Sequence, residues 1–581
     1  MKLPILANPS GSRHILTVGA IAAILALGSA SAGAVDIKPY YEFKKPKMIT
    51  IDGDLSLDTN GTSAPVSFAG GSSSTSGAVK GFEGISQYDG AAFGRNFIPP
   101  DTNGAVGKSQ FMEVSNGSYA VYDKATGTRT SLVSDVSFWA AAGQTGANGD
   151  SRVMYNIGAQ RWIAMSFGGN TKDLQIAISD TSDALGSWKS TKFEGYAGFG
   201  FGATADYPTL ALDKNAVYIG TNNFAPKTSG GSNNFRGTTL DVIPIDSLFG
   251  SGAPTTTGIK QFVTNYDPGT GQTQDRGFAL QGVNSRSAGT SGTVVANSLF
   301  FNDNLAFKVN GLSSTSAVGA SLGTASYLGL APFTDAGPGR QPNATPDGPP
   351  PVSTTFPNNN RVIDTLDQRI SSSVYEAGGR IYSLQTVDPL NALNQPGGFA
   401  RVHYSVINAT SFAVLDEGDI GVGDFDYYQG SIAVNSQGRM VISYNRSGSG
   451  SDGKISVMAR AYATDANGRL YALSDEQMLK ESLVDDYHNG SVDGFVALGR
   501  QRWGDYSQVT IDPDDENQFW LVGEFAREYN NAAGGHPGGT GGSRWGTFIA
   551  QFSAVPEPGT LLMSLLALAA AGVVSRRRVT H

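Results

Sequence analysis

Cysteine is absent from this sequence of 581 residues. Its absence excludes disulfide bonds, thiolate metal ligands and cysteine nucleophiles. Histidine is almost as scarce: of five residues, only His403, His488 and His536 lie away from the chain ends. We therefore do not expect a zinc site of the usual histidine-rich kind.

Charged residues are also few, at 16% of the chain, and the net charge is -9 at pH 7. Nucleic acid is not an expected partner, because phosphate binding needs a concentrated surface of lysine and arginine. The chain instead has 75 glycines and 40% apolar residues, a balance typical of many short strands joined by tight turns. Its length favours several domains or one large modular fold.

The first 34 residues have the composition of a secretory signal peptide. Lys2 and Arg13 precede an apolar stretch over residues 15–27, and two Ala-x-Ala sites end at Ala32 and Ala34. The apolar stretch is shorter than the ~20 residues that span a bilayer, which disfavours the alternative of a retained anchor. We predict a signal peptide, with a helix, over 1–34 and its removal by signal peptidase.

The other end has a short motif, an apolar segment and a basic cluster. The motif is Pro556-Glu557-Pro558, an apolar helix is predicted over 559–574, and Arg576, Arg577 and Arg578 follow. The arginines would hold their end of the helix on the cytoplasmic side of a membrane. An ordinary tail anchor is the alternative interpretation.

In this order, residues 555–578 resemble the PEP-CTERM sorting signal. The resemblance implies an exosortase as partner and cleavage near Pro556. It also implies delivery to the cell surface or extracellular matrix of a Gram-negative bacterium. On this interpretation the protein meets the inner membrane only through its terminal helices, and only transiently.

Residues 35–97 are rich in Gly, Ser and Thr, and we predict a leader or flexible linker there. From residue 98 a strand-turn-strand pattern recurs, first around Asn116-Gly117, a strong hairpin signal. Six such hairpins are predicted: 111–115 with 118–123, 153–155 with 162–167, 209–212 with 217–221, 373–375 with 380–386, 431–434 with 440–444, and 507–511 with 519–524.

Recurrence of one hairpin design over 98–553 predicts an all-β fold, a β-propeller of about six to eight blades. A pair of β-sandwiches is the alternative. The proline-rich stretch 331–360 interrupts the pattern, so we predict a crossing between blades or a boundary between two halves there.

Two phrases, residues 99–107 and 502–507, resemble secreted bacterial propellers of the sialidase-like, BNR-repeat kind, and residues 179–188 resemble a degenerate Asp-box. Sialidase-type hydrolysis uses three arginines on the substrate carboxylate and a tyrosine nucleophile helped by a glutamate. The resemblance offers these candidates: Arg152, Arg369, Arg502, Tyr506 and Glu524. The alternative is that they form salt bridges and pack between blades.

Carboxylates and amides that precede strands could face a central channel and hold Ca²⁺, which prefers oxygen ligands. The candidates are Asp101, Asn103 and Asp505; others are Asp206, Asp364, Asp367, Asp424 and Asp426. The alternative is that each caps a turn. No other cofactor is expected. Some aromatic residues could stack on sugars or pack between blades: Tyr427, Tyr428, Trp503 and Trp545.

Nucleotide-binding loops, EF-hands, Gly-x-Ser-x-Gly elbows and His-Glu-x-x-His motifs are missing from the sequence. We therefore favour a non-enzymatic surface or matrix protein whose propeller binds a glycan, such as an extracellular polysaccharide, or another envelope protein. A glycan-active hydrolase or lyase with its site at the channel mouth is the alternative.

Overall fold

A computed structural model describes residues 49–50, 65–68, 76–95, 97–170, 172–195, 204–225, 234–265, 275–287, 289–342, 362–485, 487, 501–529 and 543–555. The predicted signal peptide with Ala32 and Ala34, the sorting residues from Pro556 to Arg578, and the apolar helix 559–574 lie outside the described residues. Within these ranges no helix is long and apolar enough to cross a bilayer.

The first elements are short strands, one long strand and a helical turn: β1 (Ile49–Thr50), β2 (Val66–Ser67), β3 (Gly77–Ser86), α1 (Gln87–Ala92) and β4 (Phe97–Ile98). Strand β1 pairs with β4. Helix α1 begins with a capping box, in which the Ser86 N–H donates to the Asp89 carboxylate at 2.8 Å.

Two four-stranded antiparallel sheets follow. The first contains β5 (Asn103–Val106), β6 (Gln110–Ser115), β7 (Ser118–Asp123) and β8 (Arg129–Ser134), and ends in helix α2 (Asp135–Ala141). The second contains β9 (Arg152–Asn156), β10 (Arg161–Phe167), β11 (Asp173–Ser179) and β12 (Trp188–Glu194). Trp188 packs against Phe138 of α2, with ring centroids 5.1 Å apart, so the Asp-box-like hairpin contacts the preceding sheet.

The third sheet has five strands: β13 (Thr204–Asp206), β14 (Ala211–Leu212), β15 (Ala216–Ala225), β16 (Asn234–Pro244) and, after helix α3 (Ile245–Phe249), β17 (Lys260–Asn265). The next sheet has ten strands: β18 (Phe278–Ser285), β19 (Gly292–Asn297), β20 (Asn304–Asn310), β21 (Ser321–Leu322), β22 (Ser326–Tyr327), β23 (Phe333–Asp335), β24 (Val374–Ala377), β25 (Arg380–Pro389), β26 (Arg401–Asn408) and β27 (Val414–Ile420).

Two five-stranded sheets complete the fold. One contains β28 (Phe425–Val434), β29 (Arg439–Gly448), β30 (Ser456–Thr464), β31 (Leu470–Ala472) and β32 (Gln477–Glu481). The other contains β33 (Gln508–Ile511), β34 (Gln518–Tyr529) and β35 (Ser543–Ser553), and is completed by β3 and β2 in the order β2-β3-β35-β34-β33.

The sheets form a closed ring around an axis. Inner strands of most successive sheets contact one another, the second and third sheets share one hydrophobic core, and β33 of the last sheet contacts β5 of the first. The N-terminal strand β3 lies beside the C-terminal strand β35 in one sheet. This arrangement confirms the predicted all-β propeller. Its last blade combines N-terminal strands with C-terminal strands.

All six predicted hairpins are confirmed as antiparallel strand pairs. The first turns at Asn116-Gly117, where Gly117 has φ +91°, a left-handed conformation that glycine adopts without steric cost.

The predicted number of separate blades, six to eight, is wrong. Five sheets of four or five strands stand alone, and the strands between residues 278 and 420 form one ten-stranded sheet. The reason is a parallel pairing between β18 and β24, which begins at Val283 and Val374 and joins two antiparallel groups of strands.

The leader predicted over 35–97 is also too long, because β3 belongs to the last blade. The glycine content of this segment is typical of a linker, but two of its glycines pack closely against other strands. A Cβ at Gly81 would overlap the Phe548 ring, and one at Gly84 would overlap Glu113 and Thr547. Within the proline-rich stretch, β23 pairs with β25, so part of it is a strand; residues 343–361 lie outside the described ranges.

The core is built from the facing sides of neighbouring sheets. The four aromatic residues that were candidates for stacking on sugars belong to this core, with exposed fractions of 0–1%: Tyr427, Tyr428, Trp503 and Trp545. Their burial supports the alternative of packing between blades.

A buried carboxylate, Glu113 on β6, connects the first blade to the closing strands. It accepts hydrogen bonds from Thr547 Oγ1 on β35 at 2.5 Å, Tyr122 Oη at 2.8 Å and the backbone N–H of Ile85 on β3 at 2.9 Å. Glu113 therefore stabilises the contact between the first blade and the closing blade.

We predict that Glu113→Ala lowers the free energy of unfolding by about 3 kcal/mol, because three buried donors lose their acceptor. The control Glu481→Ala removes a half-exposed carboxylate whose ion pair with Lys454 is 3.9 Å long, and should change it by less than about 0.5 kcal/mol. Urea unfolding followed by tryptophan fluorescence measures both. Equal midpoints for the two variants would show that the closure does not depend on Glu113.

Candidate functional site

Five residues just before inner strands or within them have a left-handed backbone conformation. These residues have φ between +46° and +54°: Asp101, Asp150, Tyr207, Ala279 and Gln429. Such a conformation is uncommon for residues other than glycine. A polar residue stands two positions after each of them: Asn103, Arg152, Thr209, Gln281 and Ser431. The kink therefore places polar side chains at the axis.

The axis contains a small polar cavity. Its volume is about 10 Å³, and it is lined by Asn103, Arg152, Val153, Met154, Leu210, Gln281, Ser373 and Gln508. That volume is near the minimum for one water molecule. A sugar ring does not fit there.

Arg502 is the centre of a buried ion network above this cavity. Its guanidinium donates to Asp364 at 2.8 Å and to Asp505 at 2.6 Å, and Arg502 is 3% exposed. The backbone N–H of Asp505 donates to Asp101 at 2.8 Å, which connects the last blade with the first. Asn116 donates to the second oxygen of Asp101 at 2.8 Å.

Two further arginines stack on buried tyrosines. The Arg152 guanidinium carbon lies 3.2 Å from the centroid of the Tyr506 ring, and the Arg369 carbon lies 4.4 Å from that of Tyr207. Arg369 is also held by both oxygens of Asp367, at 2.6 and 2.7 Å. Arg152 donates to the carbonyl oxygen of Pro208 at 3.0 Å. Cation–π contacts of this kind gain strength away from water.

Burial dominates the titration of the carboxylates in this cluster. Burial, and then the nearby charges of Asp505 and Asp150, raise the pKa of Asp101 well above its usual range. Burial and then Asp206 and Asp505 raise the pKa of Asp150 to about 7. Desolvation disfavours the ionised form of a carboxyl group, so the cluster favours partial protonation near neutral pH.

The five candidates offered by the sialidase resemblance do come together at the axis, although the sequence separates them widely. Tyr506 and Glu524 are fully buried, and the three arginines are 2–7% exposed. Arg369 and Arg502 are engaged by aspartates of this chain. A substrate carboxylate would have to displace these partners.

The three calcium candidates also use their polar atoms within the protein. Asp101 accepts the two hydrogen bonds described above, and Asp505 binds Arg502. Asn103 accepts from the Val153 N–H at 2.9 Å and donates to Gln508 at 3.1 Å. Among the described residues, no three His, Asp or Glu side chains form a group suited to a metal ion.

Sequence reasoning missed Asp150, Tyr207 and Gln429 as members of this cluster. Each of them lies two residues before a polar residue in or near an inner strand. This spacing can be recognised only when the positions of the strands are known. Within the described ranges, the side-chain polar atoms of Gln429 and Glu524 have no hydrogen-bond partner.

His403 is the one histidine within the described ranges. It lies on β26, is 4% exposed, and has Asp419 at 2.9 Å and Glu417 at 3.4 Å from its two ring nitrogens. Burial alone would lower the pKa of His403, but the two carboxylates outweigh it and raise the pKa to about 9. The imidazolium therefore bridges two carboxylates of β27 and stabilises this edge of the ten-stranded sheet.

Residues 554–578 match the family model of the PEP-CTERM protein-sorting motif. The match confirms the predicted sorting signal and implies an exported protein that an exosortase sorts. It covers a small part of the chain, so it assigns no activity to the propeller. A search of the curated proteins finds no match.

Solved structures with some similarity come from several sources. A protein of unknown function from Dyadobacter fermentans is 12% identical over 84% of this chain and 99% of its own, with a TM-score of 0.33. An α-L-arabinanase from Penicillium chrysogenum, complexed with arabinobiose, is 10% identical over 62% and 92%, with a TM-score of 0.32. An endo-arabinase from Bacteroides thetaiotaomicron is 11% identical over 52% and 90%, with a TM-score of 0.27. Similarities of this size identify no activity.

We predict that the His403 ion pair makes stability depend on pH. Because the pKa is raised from its ordinary 6.5, the contribution is fully present below about pH 6.5 and is lost as the pH rises through about 9. The unfolding free energy of the wild type should fall by on the order of 3 kcal/mol relative to His403→Gln between these limits. Urea titrations across this range measure it, with Glu417→Gln expected to show a smaller change. Parallel pH profiles for wild type and His403→Gln would contradict the assignment.

Proposed function

We propose that this chain is an exported, non-enzymatic propeller that an exosortase delivers to the cell surface or extracellular matrix, where it binds a glycan. The sorting motif supports the delivery. One observation carries the non-enzymatic part: the five residues suited to hydrolysis are buried at the axis, next to a cavity of about 10 Å³.

An exposed aromatic pair supports glycan binding at the surface. Phe301, in the turn after β19, and Tyr327, on β22, are 55% and 46% exposed. Their ring centroids lie 5.3 Å apart in an edge-to-face arrangement. Rigid aromatic rings provide apolar faces for sugar C–H groups at a low entropic cost.

Polar groups beside this pair hold it in place. The Tyr327 hydroxyl donates to Asp275 at 3.3 Å, and Asp275 also accepts from the Ser298 hydroxyl at 2.6 Å. Asn302 donates to the Phe333 carbonyl oxygen at 2.9 Å. These hydrogen bonds hold the two rings in position before any ligand binds, which lowers the entropic cost of binding.

We predict that Phe301→Ala weakens binding to polysaccharide by about tenfold, as expected for loss of one stacked aromatic ring. The protein purified from the medium of its host is applied to an array of neutral and acidic polysaccharides. Leu393→Ala is the matched control, since Leu393 is apolar, 81% exposed and distant in sequence, and its binding should equal the wild type. Unchanged binding in both variants would reject this surface.

The same preparation tests the hydrolase alternative. We expect no release of reducing sugar from arabinan and no cleavage of a fluorogenic sialoside. Tyr506→Phe removes only a hydroxyl that donates a long 3.4 Å hydrogen bond to the Ser151 carbonyl oxygen, so it should not affect folding. Turnover by the wild type that disappears in Tyr506→Phe would overturn the non-enzymatic assignment.

We predict that replacing Pro556, Glu557 and Pro558 together by alanine keeps the full-length chain in the membrane fraction, because the exosortase would lose its recognition motif. Wild-type protein should be found shortened and outside the cell. Immunoblots of membrane and medium fractions measure this in the host, and Leu393→Ala again serves as the control. If wild type and variant are distributed alike, or if an exosortase-deficient host still exports the wild type, the delivery route is wrong.

A further inference from the structure

Two buried side chains at the axis have polar atoms that no other group satisfies. Glu524 on β34 is fully buried, and Gln429 in β28 is 2% exposed. Neither oxygen of Glu524 and neither amide atom of Gln429 has a hydrogen-bond partner in the part of the chain that the structure describes. The Thr102 N–H faces the Glu524 carboxylate and lowers its pKa, without a hydrogen bond of normal geometry to either oxygen.

The two side chains point to the same place. A Cβ at Gly504 would overlap both Glu524 Oε1 and Gln429 Nε2. The amide oxygen and nitrogen of a glutamine exchange places by a rotation that costs no packing. The ends of both side chains therefore lie next to the Gly504 backbone, close to each other, in a position that any side chain at residue 504 would block.

Glu113 is a buried carboxylate with a structural role, and its hydrogen bonds can be compared with those of Glu524. Its oxygens accept three hydrogen bonds of 2.5 to 2.9 Å from the protein. Most buried polar groups have such partners, and a carboxylate without one is destabilising. Glu524, equally buried, has no such donors among the described residues, so both of its oxygens are free to bind a ligand.

The charge around Glu524 is negative. Asp505 follows Gly504 directly in the chain, and its backbone N–H donates to Asp101 at 2.8 Å, so two further carboxylates lie beside this point. The guanidinium of Arg502 already binds Asp364 and Asp505. These carboxylates would attract a cation placed at this point.

We propose that Glu524 and Gln429 bind a hard metal cation of the Ca²⁺ or Na⁺ type, with the Glu524 carboxylate and the Gln429 side-chain oxygen as ligands. Such ions prefer carboxylate and carbonyl oxygens. A calcium ion contacts oxygen at about 2.3–2.6 Å, closer than the about 2.7–2.8 Å of a water hydrogen bond, which suits a tightly packed site. Because fewer than three carboxylates or histidines converge here, water or backbone oxygens complete the coordination.

The test uses the protein purified from the host medium, stripped with a chelator and dialysed against about 1 mM CaCl₂, MgCl₂ or NaCl, a range in which extracellular calcium sites are occupied. Metal content is measured by elemental mass spectrometry and stability by thermal melting. We expect about one Ca²⁺ per chain and a higher melting temperature with Ca²⁺ than with Mg²⁺, because this site offers flexible oxygen ligands. Stabilisation by NaCl alone, without bound Ca²⁺, assigns the site to Na⁺.

Glu524→Gln should abolish both the bound metal and the stabilisation, while Glu481→Gln, a change at a surface carboxylate, should preserve both. If Glu524→Gln fails to fold, Gln429→Glu decides, because a second carboxylate should tighten binding by about tenfold. Absence of metal with equal melting temperatures in all salts overturns the proposal. The proposal is also overturned if Glu524→Gln still binds the metal, or if Gln429→Glu binds it with unchanged affinity. Neither outcome bears on glycan binding at Phe301.

Discussion

Closure of the ring by β3 is the constraint on which the rest of the structure depends. Each sheet buries its faces only against its neighbours, so a gap between the last and first sheets would expose both. Strand β3 completes the last sheet by pairing with β35, and Glu113 of the first blade accepts from residues of both strands. Stability of the whole propeller therefore depends on residues near its two ends.

Closure also accounts for the chemistry at the axis. When inner strands converge, the polar residues that open them must share a small buried volume. Charges there are tolerated only when they are paired and hydrogen-bonded, as Arg502 is with Asp364 and Asp505. Arg369 is paired with an aspartate in the same way, whereas neither oxygen of Glu524 has a hydrogen-bond partner among the described residues.

Local signals predicted most of the fold, whereas contacts between distant residues could not be predicted. The turn at Asn116-Gly117 specifies its hairpin through backbone preference alone. Strand β3 was missed because Gly81 and Gly84 are required by neighbours in β35 and β6, which the local sequence does not reveal. The hydrogen bond from Asp505 to Asp101 joins residues 404 positions apart. Sequence therefore placed these aspartates before strands but could not show that they meet.

The same closing blade adjoins the sorting motif. Strand β35 ends at Ser553, the buried Ala554 donates to the Asn517 carbonyl oxygen at 2.8 Å, and the Ser76 hydroxyl donates to the Val555 carbonyl oxygen. Pro556 follows directly. These hydrogen bonds all involve residues before Pro556, so a cleavage at Pro556 or beyond would remove none of the described contacts of the blade. The ring would then stay closed by β3.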